Sequence, residues 1–125
     1  ATPAVFREAD RLGPQRSAAD LDRLYDELVE ALAGAARLPR RLLVNDLQAA
    51  AVSLCPWCAE ALAAVRAAGA DDALVSGSGP TVVGVWWGSG SAARAAAAVA
   101  ALRSEHPRAL VAEPVAVEYA APSLT

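Results

Sequence analysis

Between residues 73 and 85 an apolar run, Ala73-Leu74-Val75, enters the loop Ser76-Gly77-Ser78-Gly79-Pro80-Thr81, and a β-branched run, Val82-Val83-Gly84-Val85, leaves it. Two strand-forming runs joined by a short Gly- and Pro-rich connection define a hairpin, since glycine enters positive φ without a steric penalty. The same bare backbone lets N–H groups crowd an incoming anion. The loop is therefore either a plain hairpin connection or one wall of a nucleotide site. Its surroundings exclude two common phosphate loops. No Gly-Lys-Ser/Thr follows and no helix opens directly after it, so it is not a Walker loop. The third glycine of a Rossmann fingerprint is absent, and a strand follows where a helix belongs.

With 125 residues, 55% of them hydrophobic and 20% charged, the chain matches one domain with its own core. A net charge of −3 gives no electrostatic case for nucleic acid. No apolar stretch reaches the roughly 20 residues of a membrane helix, so no membrane partner is expected. The start, Ala1 to Glu8, lacks the charged-then-apolar layout of a secretory signal, and a cytoplasmic location is expected. Every basic residue is Arg; there is no Lys, and chemistry needing a lysine cannot come from this chain. Met is absent even from position 1, which leads to the expectation that the chain is a fragment.

Thr2 reads as the N-cap of a first helix, with Pro3 at its first turn and Gly13-Pro14 as its stop. Ser17-Ala18-Ala19-Asp20 is a near capping box for a second helix, closed by Gly34, whose apolar stripe is Leu21, Leu24, Tyr25, Leu28 and Leu32. Ala35 to Arg41 reads as a polar linker. Asn45 caps a short helix with Gln48 placed to reach back, and Pro56 ends it and opens another that runs to Gly69. Strands are expected at about Ala73–Ser76 and Thr81–Trp87, an Ala-rich helix ends at His106-Pro107, and a last strand covers about Ala109–Glu118. Pro114 would place that strand at an edge or a bulge. The order of elements fits an α+β class: a ferredoxin-like split βαβ with an antiparallel sheet covered by helices and its first strand missing. Without that central strand the sheet has unpaired edges, so the chain is expected to pair with a missing domain, swap strands or self-associate.

Other chemistry-bearing residues have simpler readings. Cys55-Pro56-Trp57-Cys58 has the C-x-x-C spacing of thioredoxin-like redox motifs, and Pro80 could be cast as the proline facing it. That fold needs a strand opening into the redox helix, whereas helix and linker precede Cys55. Two packed cysteines are the expected account. With His106 as the one histidine, a structural zinc set is not expected. His106 lies at a helix end beside no strained nucleophile turn. Arg40-Arg41 is a solvated pair that could reach a phosphate. Trp86 and Trp87 should face opposite sides of a sheet, one of them covering an interface. Asp10, Asp20, Asp22, Asp26 and Glu27 fall on polar helix faces, and no residue stands out as catalytic.

Asn45-Asp46-Leu47-Gln48-x-x-Ala51-x-Ser53-Leu54-Cys55-Pro56, a helix ending Arg66-Ala67-Ala68-Gly69-Ala70, and Leu74 to Thr81 occur in one order. Together with Thr2-Pro3-Ala4-Val5-Phe6, they resemble the C-terminal half of the 4-diphosphocytidyl-2-C-methyl-D-erythritol kinases, a family within the GHMP kinase superfamily. The resemblance spans about Ala1 to Trp87. It implies ATP-dependent phosphorylation of the 2-hydroxyl of a cytidylyl-linked sugar alcohol, in the methylerythritol phosphate route to isoprenoids. ATP and Mg2+ would be the cofactors and a small molecule the substrate. It further implies that the phosphate loop, catalytic Asp and Lys belong to an N-terminal domain whose motifs are not in this sequence. The chain alone is then expected to be inactive. Ser76, Gly77, Ser78, Gly79, Pro80 and Thr81 would form a wall of the ATP cleft, with Asn45 and Asp46 supporting it. The family pattern has an apolar residue near Cys58, which argues against redox catalysis. The rivals are a stand-alone ferredoxin-like interaction or regulatory module and a C-x-x-C redox domain.

Overall fold

Local sequence signals set most element boundaries in the computed structural model, which describes residues 2–13, 16–34 and 37–114. Helix α1 is Thr2–Leu12, α2 Ala18–Gly34, α3 Gln48–Leu54 and α4 Pro56–Ala67. Strands β1 (Asp72–Val75) and β2 (Val82–Val85) follow, then α5 (Ser91–Leu102). A 3-10 turn at Arg40–Leu42 replaces the expected linker, and its Leu42 is buried.

The capping box ahead of α2 forms as expected. Asp20 N donates to Ser17 Oγ at 3.2 Å, and Ser17 N to Asp20 Oδ2 at 3.0 Å. Pro56 separates α3 from α4, whose axes differ by 116°. Helix α4 ends in a Schellman motif: Gly69, at φ +91°, donates to Arg66 O while Ala70 N donates to Val65 O. No single described helix is long and apolar enough to cross a membrane.

The strands pair antiparallel, with Asp72 opposite Val85 and Val75 opposite Val82. Helix α4 lies across this hairpin at Gly84. A Cβ there would fall 2.9 Å from the Trp86 ring and closer still to Val65, so the close approach needs glycine. Val5 and Ala9 of α1, Ala50 and Ala51 of α3, Cys58 and Leu62 of α4, and Val75 form the core. Small Ala side chains let α1 and α3 pack closely, which a seven-residue helix requires because it is too short to persist alone.

The class is α+β, an antiparallel sheet covered by helices. The apolar stripe of α2 stays largely exposed: α2 buries no residue, with Leu21 51%, Tyr25 67% and Leu32 64% exposed. Periodicity defines an apolar face but names no partner for it. Residues 109–114 form no strand; 115–118 of the expected last strand lie outside the described residues. Trp86 and Trp87 lie beyond the end of β2, where Trp87 Nε1 donates to Asp72 Oδ2 at 3.0 Å.

Two carboxylates tie elements together. Glu8 of α1 accepts from Arg11 Nε and from Ser53 Oγ of α3, at 2.7 and 2.6 Å. The Arg11 contact, then Ser53, holds its carboxyl at about 2, below the usual 4.5. Asp71 is likewise held at about 2, against 3.8, chiefly by Arg94 of α5 and then by the Trp87 N–H. A folded-state value below the unfolded one stabilises the fold above the unfolded value, and that contribution is lost as pH falls towards the folded value. Urea midpoints should therefore fall as pH drops from 4.5 towards about 2. A Glu8→Gln, Asp71→Asn double variant should have a flatter pH profile, and an unchanged slope would count against these two contacts.

Candidate functional site

The Ser76–Thr81 connection is built from the strands inward. Ser76 N donates to Thr81 O at 2.8 Å and Gly79 N to Ser76 O at 2.9 Å, closing a turn within the loop. Gly77 has φ +55° and Gly79 φ +70°, while Ser78 between them stays negative. Positive φ at the first central residue alone is the II′ pattern of tight hairpins. The Gly79–Pro80 peptide bond is cis. Among the described residues, the N–H groups of Gly77 and Ser78 have no internal acceptor. They form an open pair of donors at the loop tip.

The two glycines have different surroundings. A Cβ at Gly77 would meet nothing within 4 Å, whereas one at Gly79 would stand 3.1 Å from Val75 and 3.6 Å from Cys58 Sγ. Gly77 faces open space and Gly79 rests on the core.

Asn45 holds the loop from below. Its Nδ2 donates to Val75 O at 2.7 Å and to Gly77 O at 2.8 Å, and its Oδ1 accepts from Leu47 N at 3.0 Å. Gln48 Oε1 accepts from Val75 N at 2.9 Å. The expected capping box at Asn45 is thus replaced: Gln48 reaches β1 rather than back to Asn45, and the helix begins at Gln48 without a side-chain cap. Thr2, expected as the cap of α1, is instead its first residue, and its hydroxyl lies 3.1 Å from Ser78 Oγ. Gln48 and Thr2 were missed from sequence because each lies more than 25 positions from the strand or loop residue that it meets. The one local signal was the polar Asn45 and Gln48 flanking an otherwise apolar helix start.

Of the other expected residues, Asp46 does not join the loop. It pairs with Arg16 and lines a separate cleft of about 330 Å³ with Leu12 and Ala49. Arg40 and Arg41 are engaged elsewhere, on buried Asp72 (3.4 Å) and on Glu27 (3.0 Å). A second cleft, of about 320 Å³, lies against the loop between Thr2, Ala51, Cys55, Cys58, Ser78 and Pro80. The loop contains no titratable side chain. What it offers is hydroxyls and open backbone donors, which suit binding and orienting an anion rather than proton transfer.

Asn45→Ala removes both carbonyl partners and should cost about 1–3 kcal/mol, the range for polar groups left unsatisfied, read from urea unfolding. Alanine at either glycine meets the left-handed penalty of about 1–2 kcal/mol. Gly79→Ala should lose more stability than Gly77→Ala, since only Gly79 also crowds Val75. Equal losses would mean that the Gly79 packing is relaxed in solution.

Residues 24–104 match the family described as GHMP kinases C terminal. The chain is 53% identical over 87 residues to a 4-diphosphocytidyl-2-C-methyl-D-erythritol kinase of Streptomyces coelicolor, covering 64% of this chain and 27% of that protein. A Thermobifida fusca protein of the same name is 54% identical over 81 residues, 64% of this chain and 25% of its own length. One from Salinispora tropica is 43% identical over 102 residues, 81% and 32% respectively. The chain thus spans about a quarter to a third of the length of these relatives. A hairpin whose glycine loop is clamped by the helix before it, within a matched span of 81 of 125 residues, places this chain in the GHMP kinase family as its C-terminal domain.

Proposed function

We propose that this chain is the C-terminal lobe of an ATP-dependent kinase that phosphorylates the 2-hydroxyl of 4-diphosphocytidyl-2-C-methyl-D-erythritol, a step towards isoprenoid precursors. The names of the relatives support the substrate and the reaction. The observation that carries the site is the pair of open N–H donors at Gly77 and Ser78, on a loop held rigid by Asn45. Phosphoryl transfer depends on positioning and charge neutralisation, to which fixed backbone donors contribute without a charged side chain.

In this reading Ser76, Gly77, Ser78, Gly79, Pro80 and Thr81 form a wall of the ATP cleft. Asn45 supports the wall directly, and Asp46 steadies the turn before α3 through Arg16. The phosphate-binding loop, the catalytic carboxylate and the lysine come from an N-terminal domain, and the lobe alone has no kinase activity. Bound Mg2+ would neutralise triphosphate charge. Among the described residues no three His, Cys, Asp or Glu side chains converge to hold a metal, so its ligands would be the nucleotide and the other domain. The outer edge of β2, which carries no further strand among the described residues, is where the complete protein continues the sheet. The location is the cytoplasm, where ATP is available.

Gly77→Val tests the wall without burying new bulk, since nothing lies within 4 Å of that position. In the complete kinase, kcat/KM should fall by about tenfold or more, because a β-branched residue is strained at φ +55° and moves the backbone donors out of position. Unchanged efficiency in a variant with a native circular dichroism spectrum would refute this role for the loop.

A further inference from the structure

The cleft beside the loop has a floor that nucleotide binding does not explain. Cys55 is the residue before α4 and Cys58 the third residue within it, separated by Pro56 at the first helical position. In a helix start these two positions face each other, the arrangement in which capping-box side chains meet. Cys58 N donates to Cys55 O at 2.9 Å, which closes the turn that brings the two side chains together. Both are free thiols: Cys55 is half-buried, Cys58 is buried, and both line the cleft of about 320 Å³ with Ser78, Gly79 and Pro80. Cys58 Sγ also donates to Pro80 O at 3.9 Å and supports Gly79 from below.

We propose that Cys55 and Cys58 form an oxidisable dithiol that reacts with low-molecular-weight disulfides and, once closed, withdraws Cys58 from the glycine loop. Cys55, the more exposed sulfur, attacks one sulfur of the small disulfide as its thiolate, forming a mixed disulfide and expelling one small thiolate. Cys58 then gives up its proton, and its sulfur attacks Cys55. The Cys55–Cys58 bond forms and the second small thiolate leaves. Two protein thiols are oxidised, one small disulfide is reduced to two thiols, and the two protons go to them. Burial, and after it the neighbouring Cys55, pushes the Cys58 thiol up, which fits Cys55 as the attacking group and Cys58 as the resolving one. In the closed form Cys58 has no S–H, so the Pro80 carbonyl loses its donor. Any consequence for nucleotide binding rests on the loop being the ATP wall; the dithiol chemistry does not.

The test uses the purified protein treated with oxidised or reduced glutathione, alkylated and digested with trypsin. Cleavage after Arg41 and Arg66 puts both cysteines in one peptide, Leu42 to Arg66. After oxidation that peptide should lack two hydrogens and resist alkylation, and reduced glutathione should reverse the change. The mixed disulfide should stay below about a tenth of the protein, because an adjacent thiol resolves it. In Cys58→Ala the mixed disulfide at Cys55 should instead be the end product. Cys55→Ser, which keeps a good capping residue, should form neither species. Closure should also shift the Ser78, Gly79 and Thr81 amide resonances while leaving those of mid-α5 in place. A wild-type peptide that stays fully alkylatable, or that stops at the mixed disulfide, overturns the dithiol. Closure without loop shifts overturns its coupling to the loop. Neither result depends on kinase activity, so neither is confused with failure of the ATP-wall reading.

Discussion

The architecture of the site depends on one side chain, the amide of Asn45. Its nitrogen bridges the carbonyls of Val75 and Gly77 while its oxygen holds the turn before α3. Two donors and one acceptor are used at once, which neither a carboxylate nor a hydroxyl can supply in that geometry. Gln48 completes the arrangement by accepting from the N–H of Val75. The end of β1 is therefore fastened to the start of α3 on the side that β2 does not cover. Arg66 does the same for Ala73 O at 3.3 Å. An edge that would otherwise present unpaired backbone is closed by side chains.

This fastening divides the glycine loop into two functional sides. Its inner side is fixed: Gly79 packs on Val75 and Cys58, and the Gly77 carbonyl is held by Asn45. Its outer side, the N–H groups of Gly77 and Ser78, stays open. A phosphate wall needs this combination, because donors attached to a mobile loop would lose much of their binding energy in being ordered. The cysteine pair sits on the fixed side, where a change of oxidation state would be felt by the loop without a residue entering the cleft.

Much of this is legible in the sequence. The hairpin, its glycines, the break at Pro56, the capping box at Ser17 and the Gly69 helix stop are governed by residues within a few positions of one another. Membership of the kinase family rested on motif order and is supported by the family match. What was not legible shares a cause: no local pattern shows that the α2 stripe lacks a buried partner or that Asp46 turns to Arg16. Asp72, buried at 2% exposure between Arg37, Arg40 and Trp87, drew no attention in a stretch that looked like an ordinary strand start.

Sequence by itself determined where the backbone turns, because φ limits, proline sterics and cap chemistry act within a single turn of chain. It also determined which residues form the glycine loop with its open backbone donors. Tertiary structure alone decided how side chains fasten that loop in place. Asn45 and Gln48 meet β1 and its loop, Thr2 meets Ser78, and Cys58 meets Pro80, each across 22 to 76 positions of chain. Hydrogen bonds at such separations follow from how helices pack on the hairpin, and no local pattern encodes that packing.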